Sequence, residues 1–192
     1  MRVTIVDYGV GNLHSLAKAL AAPNIEIVVE PDPSRALDTD LLVLPGVGAF
    51  SPAAEYLAPA REAMRDAIRA GLPTLGVCLG MQLLFESSDE GSGRGLGVLV
   101  GDVARLQARR LPHIGWNTID AGSRPTQPMY YANSYACRPT DSSIVVGWST
   151  HEGDRFPAVV RVGATLGVQF HPEKSSHGGV QFLRDFVREV AT

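Results

Sequence analysis

Nowhere does this chain gather its basic residues: 17 lysines and arginines are scattered among 20 acids, for a net charge of −3. That spread argues against a nucleic-acid or anionic-membrane surface. Long apolar runs are missing too. The longest, around residues 41–50 and 75–85, fall well below the roughly 20 residues that span a bilayer, so no membrane segment is predicted. Met1-Arg2 leads directly into a strand-like run ending at Asp7, without the pattern of a targeting segment, and a cytoplasmic location is expected. Only Cys78 and Cys137 are present; they could pair in principle, but reduced thiols are the default for such a chain. There is no internal repeat, low-complexity tract or linker-like stretch. A single domain over 1–192 is therefore expected, with an ordinary 45% hydrophobic share to build its core.

What the chain does contain is an alternation of strand and helix signals. Arg2-Val3-Thr4-Ile5-Val6 reads as a first strand, and Asp7-Tyr8-Gly9-Val10-Gly11-Asn12 as a Gly-rich turn whose Asn12 can cap a helix over 13–20. Strands follow at 25–29 and 41–44, the latter running into Pro45-Gly46-Val47-Gly48, a loop with almost no side-chain bulk. Leu57, Arg61, Met64 and Ile68 keep helical spacing until Gly71 stops the helix. A strand over 74–77 then delivers Cys78 to a helix over 79–85. This order predicts an α/β fold: an open, mixed but mainly parallel sheet flanked by helices, with sites at the carboxyl ends of the strands. From about Gly101 onward the runs at 144–148, 158–162 and 165–170 look antiparallel or mixed. A last amphipathic helix carries Val180, Leu183, Phe186, Val187 and Val190 on one face.

In Gly76-Val77-Cys78-Leu79-Gly80-Met81-Gln82 a cysteine stands between two glycines where strand turns into helix. A side chain at such a turn is pushed clear of the backbone, and the helix start behind it offers unpaired N–H groups and favours thiolate. The same run also fits a buried cysteine packing as a small hydrophobe. A nucleophile needs a base, and the base works better when a third group orients it. His171 and Glu173, two residues apart after a strand-like run, can supply both if the chain stays extended through Pro172, which would point both side chains the same way. Taken singly, His171 also fits a surface loop histidine and Glu173 a solvated charge.

The Gly76–Gln82 run resembles the nucleophile elbow of class I glutamine amidotransferases, and Phe170-His171-Pro172-Glu173 resembles the His-x-Glu motif of that family, roughly ninety residues downstream. The likeness extends over essentially the whole chain. Asp7–Leu13, Pro45-Gly46-Val47-Gly48-Ala49-Phe50, Pro112-His113-Ile114-Gly115-Trp116-Asn117 and Pro172-Glu173-Lys174-Ser175 resemble one branch, the glutaminase subunits of imidazole glycerol phosphate synthases. The resemblance implies that Cys78 attacks the side-chain amide of glutamine, that His171 moves the proton and that Glu173 steadies His171. It implies an oxyanion hole from the N–H groups of Leu79 and of Val47 or Gly48, and substrate contacts at Gln82, Glu90, Ser134 and Tyr135. Glu90, which also reads as an ordinary surface acid, suits the α-ammonium of glutamine. No cofactor and no metal are expected. The implied partner is a separate (β/α)8-barrel cyclase subunit in a heterodimer, met through Asn12, Trp116 and Lys174, with Lys174 close enough to Glu173 to report the partner's state. Asn133 stands where relatives often carry histidine, so any contact made by that histidine is altered. Other acceptors, as in anthranilate, carbamoyl phosphate or guanylate synthesis, a non-catalytic scaffold, and an unrelated cysteine hydrolase of the same architecture are the competing readings.

Overall fold

A computed structural model describes residues 1–9, 13–46, 48–122 and 127–192. Its strands and helices run in the order β1 (Arg2–Val6), α1 (His14–Leu20), β2 (Glu26–Glu30), β3 (Leu41–Leu44), α2 (Phe50–Leu57), α3 (Arg61–Arg69), β4 (Thr74–Val77) and α4 (Leu79–Leu83). There follow β5 (Ser87–Ser88), β6 (Gly101–Arg105), β7 (His113–Asn117), β8 (Met129–Asn133), β9 (Tyr135–Pro139), β10 (Val145–His151), β11 (Asp154–Val162), β12 (Thr165–Val168) and α5 (Ser176–Val190). Seven strands form the main sheet in the order β10-β11-β12-β4-β3-β1-β2. The five from β12 to β2 are parallel, and β11 runs antiparallel to both neighbours. The mainly parallel α/β sheet expected from the alternation is what the chain adopts, and β4 lies at its centre.

Side chains alternate across each strand and sort the helices onto two faces. Val3, Ile5, Leu41 and Val43 pack against Leu16 and Leu20 of α1 and Leu183, Phe186 and Val187 of α5. Leu42 and Leu44 point the other way, against Phe50 and Leu57 of α2, Met64 and Ile68 of α3 and Met81 of α4. Both faces of the sheet are covered, as a parallel sheet requires. No helix among the described residues is long and apolar enough to cross a membrane.

The single helix expected from Leu57 through Ile68 is two helices, separated by the 3-10 turn Ala58–Ala60. Pro59 lies in that turn; it has no N–H to donate and its ring crowds the preceding turn, so the chain breaks despite the apolar spacing. The stop at Gly71 holds: its φ is +108 and its N–H reaches Ile68 O at 3.0 Å. In the second half, β6 pairs antiparallel with β9 while β5 joins β6 in parallel, and β7 and β8 form a separate two-stranded ribbon. The polar stretch 87–94 thus begins as a short strand. Asn12, proposed as a helix cap, lies outside the described residues.

Candidate active site

At the carboxyl end of β4 the chain turns sharply. Cys78 takes φ 47 and ψ −103, a conformation that costs a non-glycine residue on the order of 1–3 kcal/mol. Surrounding contacts impose it. Cys78 N–H donates to Val168 O at 2.7 Å, and Gln82 N–H donates to Cys78 O at 3.1 Å, which ties the residue to β12 and to α4. Two glycines allow α4 to lie hard against the sheet. A Cβ at Gly80 would stand 1.9 Å from Leu44 O, and one at Gly76 would stand 2.7 Å from Gly80 O. Cys78 is only 7% exposed, so it is both buried and strained, and packing alone does not require strain.

His171 does not continue in an extended chain. It opens the 3-10 turn Pro172–Lys174, and that turn, not strand geometry, brings Glu173 back to the imidazole. The fixed φ of Pro172 suits the first position of such a turn. His171 Nδ1 lies 2.8 Å from Glu173 Oε1, with the two side chains 4% and 8% exposed. A carboxylate only accepts, so Nδ1 carries a proton and Nε2 is the nitrogen left for the thiol. Gly46 shows that Cys78 and His171 converge: a Cβ there would meet Cys78 Cβ at 2.9 Å and His171 Cε1 at 3.1 Å. The histidine backbone is anchored as well. His171 N–H donates to Tyr130 O at 2.8 Å, Ser175 Oγ donates to His171 O at 2.6 Å, and Tyr130 N–H donates to Ser175 Oγ at 2.9 Å.

Burial by itself pushes the His171 imidazole down, but the charge and hydrogen bond of Cys78, followed by those of Glu173, outweigh it and raise the ring to about 10. Since this lies above the ordinary value of about 6.5, the charged ring adds to stability fully below about pH 6.5. That contribution is lost as the pH rises through about 10.

These side chains open onto a cleft of about 230 Å³ bordered by Gly46, Gly48, Cys78, Leu79, Gln82, Glu90, Asn133, Ser134 and Tyr135. Its volume is below the roughly 300–1,000 Å³ of sites for drug-sized ligands and suits one amino acid. A larger cleft of about 390 Å³ beside Arg61, Arg65, Arg69 and Arg94 holds no nucleophile and base. Leu79 is the first residue of α4, so its N–H has no intrahelical acceptor. Gly48 borders the cleft with φ +95. Val47 lies outside the described residues.

Gln82 is 5% exposed and its Nε2 is committed inward, to Tyr135 O at 3.1 Å and Gln169 Oε1 at 3.3 Å, which leaves Oε1 for a ligand. Glu90 accepts the Phe50 N–H at 2.9 Å through Oε2, so one carboxylate oxygen holds the start of α2 while the other remains for a cation. Ser134 O accepts from Leu106 N–H, and Tyr135 O accepts from Gln82 and from Asn133 Nδ2. Asn133 is buried, with its Oδ1 lacking a hydrogen-bond partner. Of the residues expected to meet a partner, Trp116 is 54% exposed beside Ile114 at 62%, Lys174 is exposed, and Asn12 lies outside the described residues. Trp116 packs edge-on against Tyr130, whose carbonyl holds the His171 backbone.

Gln169 is the site residue that sequence reading passed over. It is fully buried, and its Nε2 lies 3.5 Å from Cys78 Sγ. The available signal was one amide inside the apolar run from Leu166 to Phe170. Such a buried polar group needs partners and so points to a network.

The family profile described as glutamine amidotransferase class-I matches residues 4–190. The imidazole glycerol phosphate synthase subunit HisH of Symbiobacterium thermophilum is 44% identical, over 98% of this chain and 94% of its own length. The HisH subunit of Sulfolobus acidocaldarius is 40% identical over 98% of each chain, and that of Acaryochloris marina 38% identical over 98% and 94%. Among solved structures, a glutamine amidotransferase superposes with a TM-score of 0.78 at 19% identity, covering 98% of this chain and 99% of that one. At that identity the superposition speaks for the fold alone.

Proposed function

The chain belongs to the class-I glutamine amidotransferase family, and from that membership we propose that it is the glutaminase subunit of an imidazole glycerol phosphate synthase. In this reading it hydrolyses glutamine to glutamate and ammonia. The ammonia passes to a cyclase subunit that makes imidazole glycerol phosphate and an aminoimidazole carboxamide ribotide in histidine biosynthesis. The branch rests on the near full-length likeness to HisH subunits at 38 to 44% identity. The observation that carries the chemistry is a strained Cys78 at a strand-to-helix turn, facing an imidazole braced by a carboxylate 2.8 Å away.

Cys78 attacks the side-chain amide carbon of glutamine, and the oxyanion that forms is met by the N–H of Leu79 and by that of Val47 or Gly48. One such donor lowers the barrier by about 3 kcal/mol. His171 Nε2 then protonates the departing nitrogen, so ammonia leaves and a glutamyl thioester remains. Water, deprotonated by His171, attacks the thioester; glutamate departs and the thiol is restored. Gln82 Oε1, the free oxygen of Glu90 and the backbone around Ser134 and Tyr135 hold the substrate. Replacing Glu173 by glutamine removes the charge that orients and raises His171. The kcat for glutamine should fall by about 10²-fold or more, and the ring should titrate at lower pH in NMR spectra. An unchanged kcat would remove Glu173 from the triad.

Free ammonia in neutral water is mostly protonated and a poor nucleophile, so delivery to an attached acceptor site is useful. We place the cyclase, a (β/α)8 barrel forming a heterodimer in the cytoplasm with this single-domain chain, against the face carrying Trp116 and Lys174, with Asn12 as a further proposed contact. Trp116→Ala should weaken the complex by about 2 kcal/mol, roughly 30-fold in Kd, and leave the isolated fold intact. Titration calorimetry against the cyclase subunit checks this; an unaltered Kd removes Trp116 from the interface. The reading as a whole is tested by glutamate release from glutamine, with and without the cyclase subunit and its nucleotide substrate. Release that neither the cyclase nor its substrate alters would contradict it.

A further inference from the structure

We propose that Gln169 is a third partner of the nucleophile: its side-chain amide donates a hydrogen bond to the Cys78 sulfur and stabilises the thiolate over the thiol. The proposal rests on the reading of Cys78 as nucleophile. Cys78 N–H is bound to Val168 O, and Val168 pairs in register with Val77, so Gln169 leaves β12 alongside Cys78 leaving β4. Gln169 N–H is fixed in turn to Ala158 O at 2.9 Å. The side chain is fully buried, and its Nε2 sits 3.5 Å from Sγ.

A fixed carbonyl decides which end of each amide faces which neighbour. Tyr135 O can only accept, so Gln82, 3.1 Å away, must present Nε2 to it. The second hydrogen of that same Nε2 reaches Gln169 at 3.3 Å, and Gln169 must therefore offer Oε1 there. Nε2 of Gln169 is thereby turned toward the sulfur. An amide N–H only donates, so the sulfur must accept, and thiolate is a far better acceptor than thiol. Unlike His171, the amide cannot carry the proton away. It stabilises the thiolate before it attacks and again as it leaves the thioester.

Among the described residues, the titratable groups around Cys78 are His171 with Glu173 behind it, Glu90 and Tyr135 on the wall of the cleft, and Cys137 on β9. None of them is altered in Gln169→Leu or Gln169→Met, both close in size to glutamine and without a donor. Thiolate absorbance in the ultraviolet is titrated in the intact chain for each variant, with Cys78→Ser as the blank. The thiolate midpoint is expected to rise by about 1 unit, a tenfold loss of thiolate below the midpoint. Alkylation by iodoacetamide at neutral pH should slow about tenfold, and kcat should fall while KM for glutamine stays within about twofold. An unmoved midpoint, or a raised KM with unchanged kcat, would show that Gln169 only supports Gln82 and would overturn the proposal. Should both variants fail to fold, the side-chain amide resonance of Gln169 in the unaltered chain gives the answer. It must shift when Cys78 is titrated or alkylated, and a resonance that does not respond overturns the proposal. Failure of the nucleophile reading looks different, because Cys78→Ser would then keep the glutaminase activity.

Discussion

Gly80→Ala should destabilise the chain by at least about 3 kcal/mol, beyond the usual 1–3 kcal/mol for overpacking, and should abolish turnover. The new Cβ would lie 1.9 Å from Leu44 O, 2.5 Å from the Leu44 carbonyl carbon and 2.8 Å from Leu44 Cβ. Leu44 ends β3, next to the central strand, and its backbone cannot yield without breaking the pairing of β3 with β4. Helix α4 must move instead. Its first turn carries the Leu79 N–H and fixes the Cys78 carbonyl through Gln82, so a shift of even an ångström misaims the nucleophile. Natural domains hold only about 5–15 kcal/mol in total, so soluble yield should fall as well. Gly163→Ala is the control: its φ is +54 and nothing lies within 4 Å of the added Cβ, leaving only about 1–2 kcal/mol of left-handed strain. Denaturant midpoints of the two variants check the difference. Equal losses would show that the close approach of α4 to β3 does not matter.

The parts of the fold that were legible in the sequence are those where a local rule suffices. Apolar strands separated by helical spacing implied a covered parallel sheet, and β1, β3 and β4 have the bounds that their sequence suggested. Pro59 was visible too, but the spacing of Leu57, Met64 and Ile68 masked it, because both halves of the broken helix pack on the same face. The ribbon of β7 and β8 was not legible. Its Gly115 and exposed Ile114 and Trp116 leave no clean alternation to read.

The site divides in the same way. Cys78, His171 and Glu173 could be chosen by residue type and order, whereas their convergence depends on a 3-10 turn at Pro172 and on Gly46, the small residue between the two side chains. The role of Gln169 depends on which way two amides face, and that is settled by the carbonyl of Tyr135, distant in sequence. Tertiary placement of a hydrogen-bond acceptor leaves no periodic trace.

Cys78→Ala should lower glutamine-dependent turnover by about 10⁴-fold or more, since without the sulfur no glutamyl thioester forms and neither His171 nor the oxyanion donors can substitute for it. The fold should survive. Alanine removes one buried atom, carries a smaller side chain into the cleft, and keeps the Cys78 backbone bonds to Val168 and Gln82 available. The loss should also be confined to one source of nitrogen, because the acceptor chemistry belongs to the other subunit. The decisive measurement is therefore imidazole glycerol phosphate formation by the Cys78→Ala chain in complex with the cyclase subunit, once with glutamine and once with an ammonium salt at mildly alkaline pH. The expected result is loss of the glutamine-dependent reaction with the ammonia-dependent reaction retained. Full glutamine-dependent synthesis by the variant would contradict the assignment of Cys78 as the nucleophile that frees ammonia for its partner.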